Sequence, residues 1–297
     1  MYHNVFAHNI TQFYVFQFSH TFGNIMHRAN ENRSDDPNRV FWFYGLFPIH
    51  SVFSDHSSPV PFRIYKLRSV LGTLYLVATP IGNLADFSKR SVDILVSADA
   101  IACEDTRTSS RLLNHYGIET PMIPFHQHNE HRKVAMLMER LESGQRIALI
   151  SDAGTPGVSD PGFLAAREAH KKGHTVCAIP GASAAMVALT ASGLPCDRFL
   201  FEGFLPAKKG RSGRLDVISG LDVTVILFES VHRIQKLVDE LAGRCDGERM
   251  VAVCRELTKQ FEEVIRGPLV DVRERISNHP NLKGEFVVIL AGKNYSE

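Results

Sequence analysis

Arg146-Ile-Ala-Leu-Ile-Ser-Asp-Ala-Gly-Thr-Pro-Gly157, continued by Val158-Ser-Asp-Pro-Gly162, is the stretch that decides the fold. A short apolar run with strand character breaks off into a turn made of glycine, proline and small polar residues. The same order recurs at Thr175-Val-Cys-Ala-Ile-Pro-Gly-Ala-Ser-Ala-Ala185. In an open α/β sheet, small residues at the carboxyl ends of strands let a ligand approach the main chain, whose N–H and C=O groups then bind it. The two turns therefore mark a small-molecule site.

Working outward, the grammar is regular from Leu71 onward. Thr73 to Thr79 predicts a buried strand, Pro80-Ile-Gly-Asn-Leu84 a turn, Ser88 to Ala98 a helix and Ala100 to Asp105 a second strand with its exit. Asp105 or the threonines after it can cap the next helix, and Val134, Leu137, Met138 and Leu141 recur at helical spacing before Gly144. Phe163 to Lys172 predicts the helix between the two quoted turns, which completes a parallel α/β unit. Gly193-Leu-Pro195 interrupts the pattern. Beyond it, Phe199 to Phe201, Val223 to Phe228, Met250 to Cys254 and Phe286 to Leu290 read as strands, with Ile234, Leu237, Val238 and Leu241 on one face of a helix. The expected organisation is α/β throughout, with two α/β domains at residues 71–195 and 196–297.

Residues 1–70 differ in kind. Phe, His, Ser and Asn dominate, alanine is nearly absent and no amphipathic period persists. They are expected to be an N-terminal extension outside the folded core, or the result of a start read too far upstream, the chain then beginning at Val70 or Leu71.

Composition narrows the function classes. The 297 residues, 44% hydrophobic, suffice for two packed cores. With 33 basic against 32 acidic residues the net charge is +1, so any RNA contact must come from a local patch. The five cysteines, Cys103, Cys177, Cys196, Cys245 and Cys254, form no C-x-x-C pair, which suits a reduced, cytoplasmic setting. No signal peptide or membrane span is expected. No G-x-G-x-x-G fingerprint is present, which disfavours a dinucleotide cofactor.

Five segments in order carry a resemblance: Leu76-Val-Ala-Thr-Pro-Ile-Gly-Asn-Leu-Ala-Asp86, Ala102-Cys-Glu-Asp-Thr-Arg107, Ser151 to Gly157, Asp160-Pro-Gly162 and Leu194-Pro-Cys-Asp-Arg-Phe199. Together they resemble the tetrapyrrole-methylase superfamily. Phe201-Glu-Gly-Phe-Leu-Pro-Ala-Lys208, Phe228-Glu-Ser-Val-His-Arg233, Arg255-Glu-Leu-Thr-Lys259 and Lys283-Gly-Glu285 resemble, within it, the bacterial enzymes that methylate a cytidine ribose of 16S rRNA in the small ribosomal subunit. The resemblance runs from about Leu71 to about Gly292. It implies two domains of the tetrapyrrole-methylase type, an S-adenosylmethionine (AdoMet) cleft between them, and a homodimer.

Carried over residue by residue, Pro80 and Gly82 fall in the first cofactor-side turn, Asp152, Ala153 and Gly154 in the second, and Ser183 and Ala184 in the third. Asp152 and Ser183 serve equally well as helix caps. Methylation of a ribose hydroxyl needs a proton acceptor or an oriented polar network. Asp105, Glu229, Arg255, Glu256 and Lys283 are the catalytic candidates, with Glu104 beside them, and Arg107, Arg255 and Lys259 suit phosphate or carboxylate partners. Structural ion pairs are the competing reading for Glu104 and for Arg255 with Glu256. Lys208-Lys-Gly-Arg-Ser-Gly-Arg214 reads as a flexible basic loop, and Phe125-His-Gln-His-Asn-Glu-His-Arg-Lys133 interleaves ring and basic side chains. From these, Arg107, His126, His128, Lys208, Lys209, Arg211 and Arg214 are the RNA-contact candidates, against a solvated surface loop. The histidines lack a fourth ligand at a fitting spacing, so no metal is expected. A precorrin-type acceptor, or an assembly factor that binds without turnover, are the rival functions.

Overall fold

In a computed structural model of the chain, the described residues are 71–126 and 130–297. Residues 1–70, with the expected extension and start site, and His128 lie outside them. The quoted apolar runs become strands because both faces of their sheet are covered. β1 (Thr73–Val77), β2 (Ala100–Cys103), β3 (Met122–Pro124), β4 (Arg146–Ile150) and β5 (Thr175–Ile179) form a sheet in the order β3-β2-β4-β1-β5. Every pairing in it is parallel. All four residues of β2 are buried, as a strand at the interior of such a sheet requires.

The crossover helices are α1 (Lys89–Ser97), α2 (Thr106–His115), α3 (Glu130–Glu142) and α4 (Phe163–Lys171). Ser88 caps α1 by accepting from the Ser91 amide, and Asp105 caps α2 by accepting from Arg107. The face predicted for α3 is the buried one: Val134, Leu137, Met138 and Leu141 pack with Leu74, Ile147 and Leu149. Parallel pairing puts the exits of β1, β2, β4 and β5 at one end of the sheet. Both turns singled out by the sequence open there.

α5 (Ala184–Ser192) follows the third turn and is apolar nearly all round, the pattern of a helix enclosed on more than one side. It joins the first sheet to a second, mixed one. β6 (Phe199–Phe204), β7 (Thr224–Ser230), β8 (Met250–Arg255), β9 (Glu263–Pro268) and β10 (Glu285–Leu290) lie in the order β6-β7-β10-β8-β9. β6 and β7 are parallel, and the remaining pairings are antiparallel. α6 (Arg211–Ser219), α7 (Ile234–Ala242) and α8 (Leu269–Ser277) cover one face through Leu215, Ile218, Leu237, Leu241, Val272 and Ile276. α5 covers the other: Ala185, Ala188 and Leu189 pack against Ile226, Ala252, Cys254 and Ile289. Cys103 and Cys254 are buried, and burial pushes the Cys254 thiol up to about 12.

Against the sequence expectation, Lys208 to Arg214 is not a loop throughout, because α6 begins at Arg211. Gly210 turns the chain with φ +86, and the buried Arg211 starts the helix despite Gly213. β3, β9 and α8 were not expected from the sequence. Among the described residues no helix is long and apolar enough to cross a membrane.

The start of α4 is capped from outside its own segment. Gly162, at φ +142, offers no capping side chain. The buried Glu130 of α3 takes that place, accepting from the Gly162 amide at 3.1 Å and the Leu164 amide at 3.2 Å. A carboxylate there also favours the positive end of the helix dipole. Glu130→Ala is expected to lower unfolding stability by about 1–2 kcal/mol in urea titration, with Glu130→Gln recovering part of it.

Candidate functional site

The three turns expected to face a cofactor are gathered by hydrogen bonds of the main chain and two threonines. Thr79 and Gly154 form an isolated antiparallel bridge, N–H to C=O in both directions at 2.9 and 3.0 Å. The Thr79 hydroxyl also donates to Ser151 O at 3.1 Å. Thr155 Oγ1 donates to Ala182 O at 3.1 Å, tying the second turn to the third. Gly154 has φ +81, which only glycine adopts without strain.

Between these turns and the ends of β6, β7 and β10 lies a cavity of about 430 Å³. Ala153, Gly154, Ser183 and Ala184 line it from the first half of the chain, and Phe204, Phe228, Glu229 and Glu285 from the second. Its size and mainly apolar wall suit a small organic ligand. Pro80 and Gly82 flank it on either side of Ile81, which does line it. On the far side, Gly203 comes so close to the Ser159 loop that a Cβ would sit 3.2 Å from Ser159 Oγ.

Carboxylates of the first half converge on this rim. Asp160 lines the cavity, and its pKa is raised to about 6, chiefly by burial and then by the charges of Glu104 and Asp152. Glu104 is likewise raised, by burial first and Asp152 second, while His126 opposes the shift. Asp152 accepts from the Asp105 amide at 3.1 Å, holding the exits of β2 and β4 together. It caps no helix, and Ser183 stands at the N-cap of α5 without a side-chain cap bond. Asp105 has its charge answered by Arg107, whose hydrogen bond lowers its pKa.

The second half neutralises its own carboxylate. Glu229, at the end of β7, is fully buried and takes Arg233 Nε at 2.8 Å and Arg211 Nη1 at 3.4 Å. The same Arg211 reaches Glu240 at 2.8 Å.

A family model for tetrapyrrole (corrin/porphyrin) methylases matches residues 73–273. Ribosomal RNA small subunit methyltransferase I of Pasteurella multocida is 47% identical over 229 residues, 76% of this chain and 82% of the relative. The protein of that name from Escherichia coli O157:H7 is 43% identical over 228 residues, 76% and 80% of the two chains. This chain belongs to the tetrapyrrole methylase family. Among solved structures, diphthine synthase superposes with a TM-score of 0.57 at 17% identity, covering 74% of this chain and 89% of that one. Cobalt precorrin-4 methyltransferase gives 0.54 at 15% identity, covering 74% and 94%. These two share the fold.

The other candidates on this family scaffold fall into distinct places. Arg255 is buried, donating to Lys283 O at 2.6 Å and Phe261 O at 3.2 Å, so it ties strand ends together. Glu256 accepts from Lys259 Nζ and from the Glu285 amide, both at 3.0 Å. Burial works to raise its pKa, and those two bonds with the charges of Lys259 and Arg255 together outweigh it, leaving the pKa lowered. Neither lines the cavity, nor does Lys283, whose side chain is exposed. Lys208, Lys209 and Arg107 are exposed, as a nucleic-acid contact requires, and His126 faces Glu104. Arg211 is buried, and Arg214 grips Glu202 with two bonds, one of 2.6 Å. Sequence reading passed over Asp160 and Phe204. The Asp-Pro-Gly turn and an aromatic directly after Gly203 were their only signals.

Both kinds of carboxylate have measurable consequences. Because the folded pKa of Asp160 lies above its unfolded value, its ionisation opposes folding as pH rises from about 4 through about 6. Asp160→Asn is expected to melt at higher temperature than the parent above pH 6, with the gain shrinking toward pH 4. Arg211→Ala leaves the buried Glu229 with one of its two arginines and is expected to cost about 3–5 kcal/mol by chemical denaturation.

Proposed function

We propose that this chain is an AdoMet-dependent methyltransferase that modifies the 2′-oxygen of a cytidine in 16S rRNA of the small ribosomal subunit. The observation that carries the reading is the likeness to the ribosomal RNA small subunit methyltransferases I across most of both chains. AdoMet supplies an electrophilic methyl group on a sulfonium cation. The residues present fit such a cation. Burial first raises the proton affinity of Glu104 and Asp160, the charge of Asp152 adds to it at both, and a cationic ligand placed there offsets that negative charge.

In this reading, Ala153, Gly154, Ser183 and Ala184 hold the donor by main chain and small side chains, with Pro80, Gly82 and Asp152 shaping the turns around it. Holding donor and acceptor in line is the main task, and orientation alone can supply on the order of 7 kcal/mol of a barrier. Asp160 is the carboxylate that the first half sets on the cavity wall, and it receives the hydroxyl proton. Glu229 and Asp105, each already bonded to arginine, orient their surroundings instead. Lys208 and Lys209 meet the RNA backbone, with Arg107 and His126 adding contacts from the first half of the chain. The working form is a homodimer in the cytoplasm, where small subunits are found.

Purified protein, small ribosomal subunits and methyl-labelled AdoMet test the reading directly. Nuclease digestion and mass spectrometry should find the label in 2′-O-methylcytidine; label on a base, or none, overturns it. Asp152→Ala should abolish AdoMet binding in calorimetry while leaving the circular dichroism spectrum intact.

A further inference from the structure

We propose that Phe204 is the platform on which the nucleobase of the acceptor nucleotide stacks at the mouth of the cavity. The inference rests on RNA being the acceptor, as argued above. Phe204 lines the cavity and yet is 55% exposed, an unusual position for a large ring beside an apolar site.

The strand is built to put it there. Side chains alternate along a strand, so Phe201 and Phe204, three apart, would ordinarily point to opposite faces. The register of β6 on β7 slips between Phe201 and Gly203, so that Phe201 pairs with Ile226 and Phe204 with Phe228. Positions two apart on β7 share a face, and the bulge therefore carries both phenylalanines to it. Both rings meet Phe228 there, with centroids at 5.2 and 5.5 Å and planes tilted by 74° and 68°. Such tilted contacts brace Phe204 without laying a second ring flat upon it.

The chain beyond Phe204 is held with equal specificity. Leu205 is buried as an anchor, and its carbonyl accepts from Arg233 Nη1 at 3.5 Å. The Pro206 carbonyl accepts from Arg211 Nη1 at 3.4 Å. Both guanidinium groups are those held by Glu229. The root of the segment is thereby pinned, while Lys208 and Lys209 stand in water a few residues on. An exposed ring followed by adjacent lysines combines a stacking face with backbone-neutralising charge, the means by which proteins hold unpaired nucleotides. A ribose that must enter a cavity brings its base out of the helical stack, and that base needs a new surface to cover it.

Steady-state methyl transfer to small subunits, with calorimetry of AdoMet binding, tests this on Phe204→Ala, Phe204→Leu and Phe204→Trp. Expected is a loss in kcat/KM for the subunit of between about 5-fold and about 100-fold for Ala and Leu, recovery with Trp, and an unchanged Kd for AdoMet. Full activity with Leu would make the ring mere apolar filler. A parallel loss of AdoMet affinity would assign it to the donor's adenine, and either result overturns the proposal. If the parent protein methylates subunits and the Ala variant matches it, this inference fails alone. If the parent is inactive on RNA, the functional reading fails with it.

Discussion

The two sheets are held at working distance by one apolar seam, in which Ile81 and the alanines of α5 lie against Ile226, Ala252, Val287 and Ile289. Alanine at positions 185 and 188 lets the helix approach the second sheet more closely than a helix of leucines would. The same helix begins at Ala184, on the cavity wall, and Ile81 belongs to both the seam and the wall. Packing and site are consequently not separable here. A change that thickens the seam widens the cavity, and the cavity-facing third turn moves with it.

Electrostatics divides between the halves in opposite senses. Glu229 is surrounded by arginines, and since a buried carboxylate must be paired, that network is a condition of folding the end of β7. Glu104 and Asp160 pair with no arginine among the described residues, and their proton affinities are raised, first by burial and then by neighbouring carboxylates. One wall is thus electrically closed and the other asks for positive charge. The asymmetry gives the cavity a direction, acidic toward the β4 exit and aromatic near Phe204 and Phe228.

Much of the fold was legible because a strand buried on both faces reads as an unbroken apolar run, as at Ile147 to Ile150 and Val225 to Phe228. β9 escaped notice for the converse reason. At the edge of its sheet, Glu263 and Arg266 break the run and Gly267-Pro268 looks like a loop. α6 hid behind Gly210, Gly213 and a basic sequence whose Arg211 is buried by a tertiary partner that no local pattern reveals. That the three turns would gather at one cavity was readable because small residues at strand exits leave the backbone open. Phe204 was not, since its placement depends on a bulge, and the proton affinity of Asp160 depends on carboxylates fifty-six and eight residues away in sequence.

The Arg255-Glu-Leu-Thr-Lys259 turn shows how the halves are locked. Glu256 and Thr258 adopt φ of +49° and +68°, each costing about 1–3 kcal/mol for a residue with a side chain, and the Thr258 hydroxyl is buried without a partner among the described residues. Such a turn persists only where its surroundings over-determine it. Lys259 bridges Glu256 and Glu285 at 3.0 Å each, and Arg255 fastens the segment to Lys283 and Phe261. Two glycines complete the fit: Gly284 presses on the Glu256 carboxylate and Gly82 on the stem of Lys259, both so closely that a Cβ would collide. Gly82 belongs to the first half of the chain and Gly284 to the second. Strain in the turn is therefore sustained mainly by contacts within the second half, and the Gly82 contact on the Lys259 stem adds a support that exists only when both halves are seated.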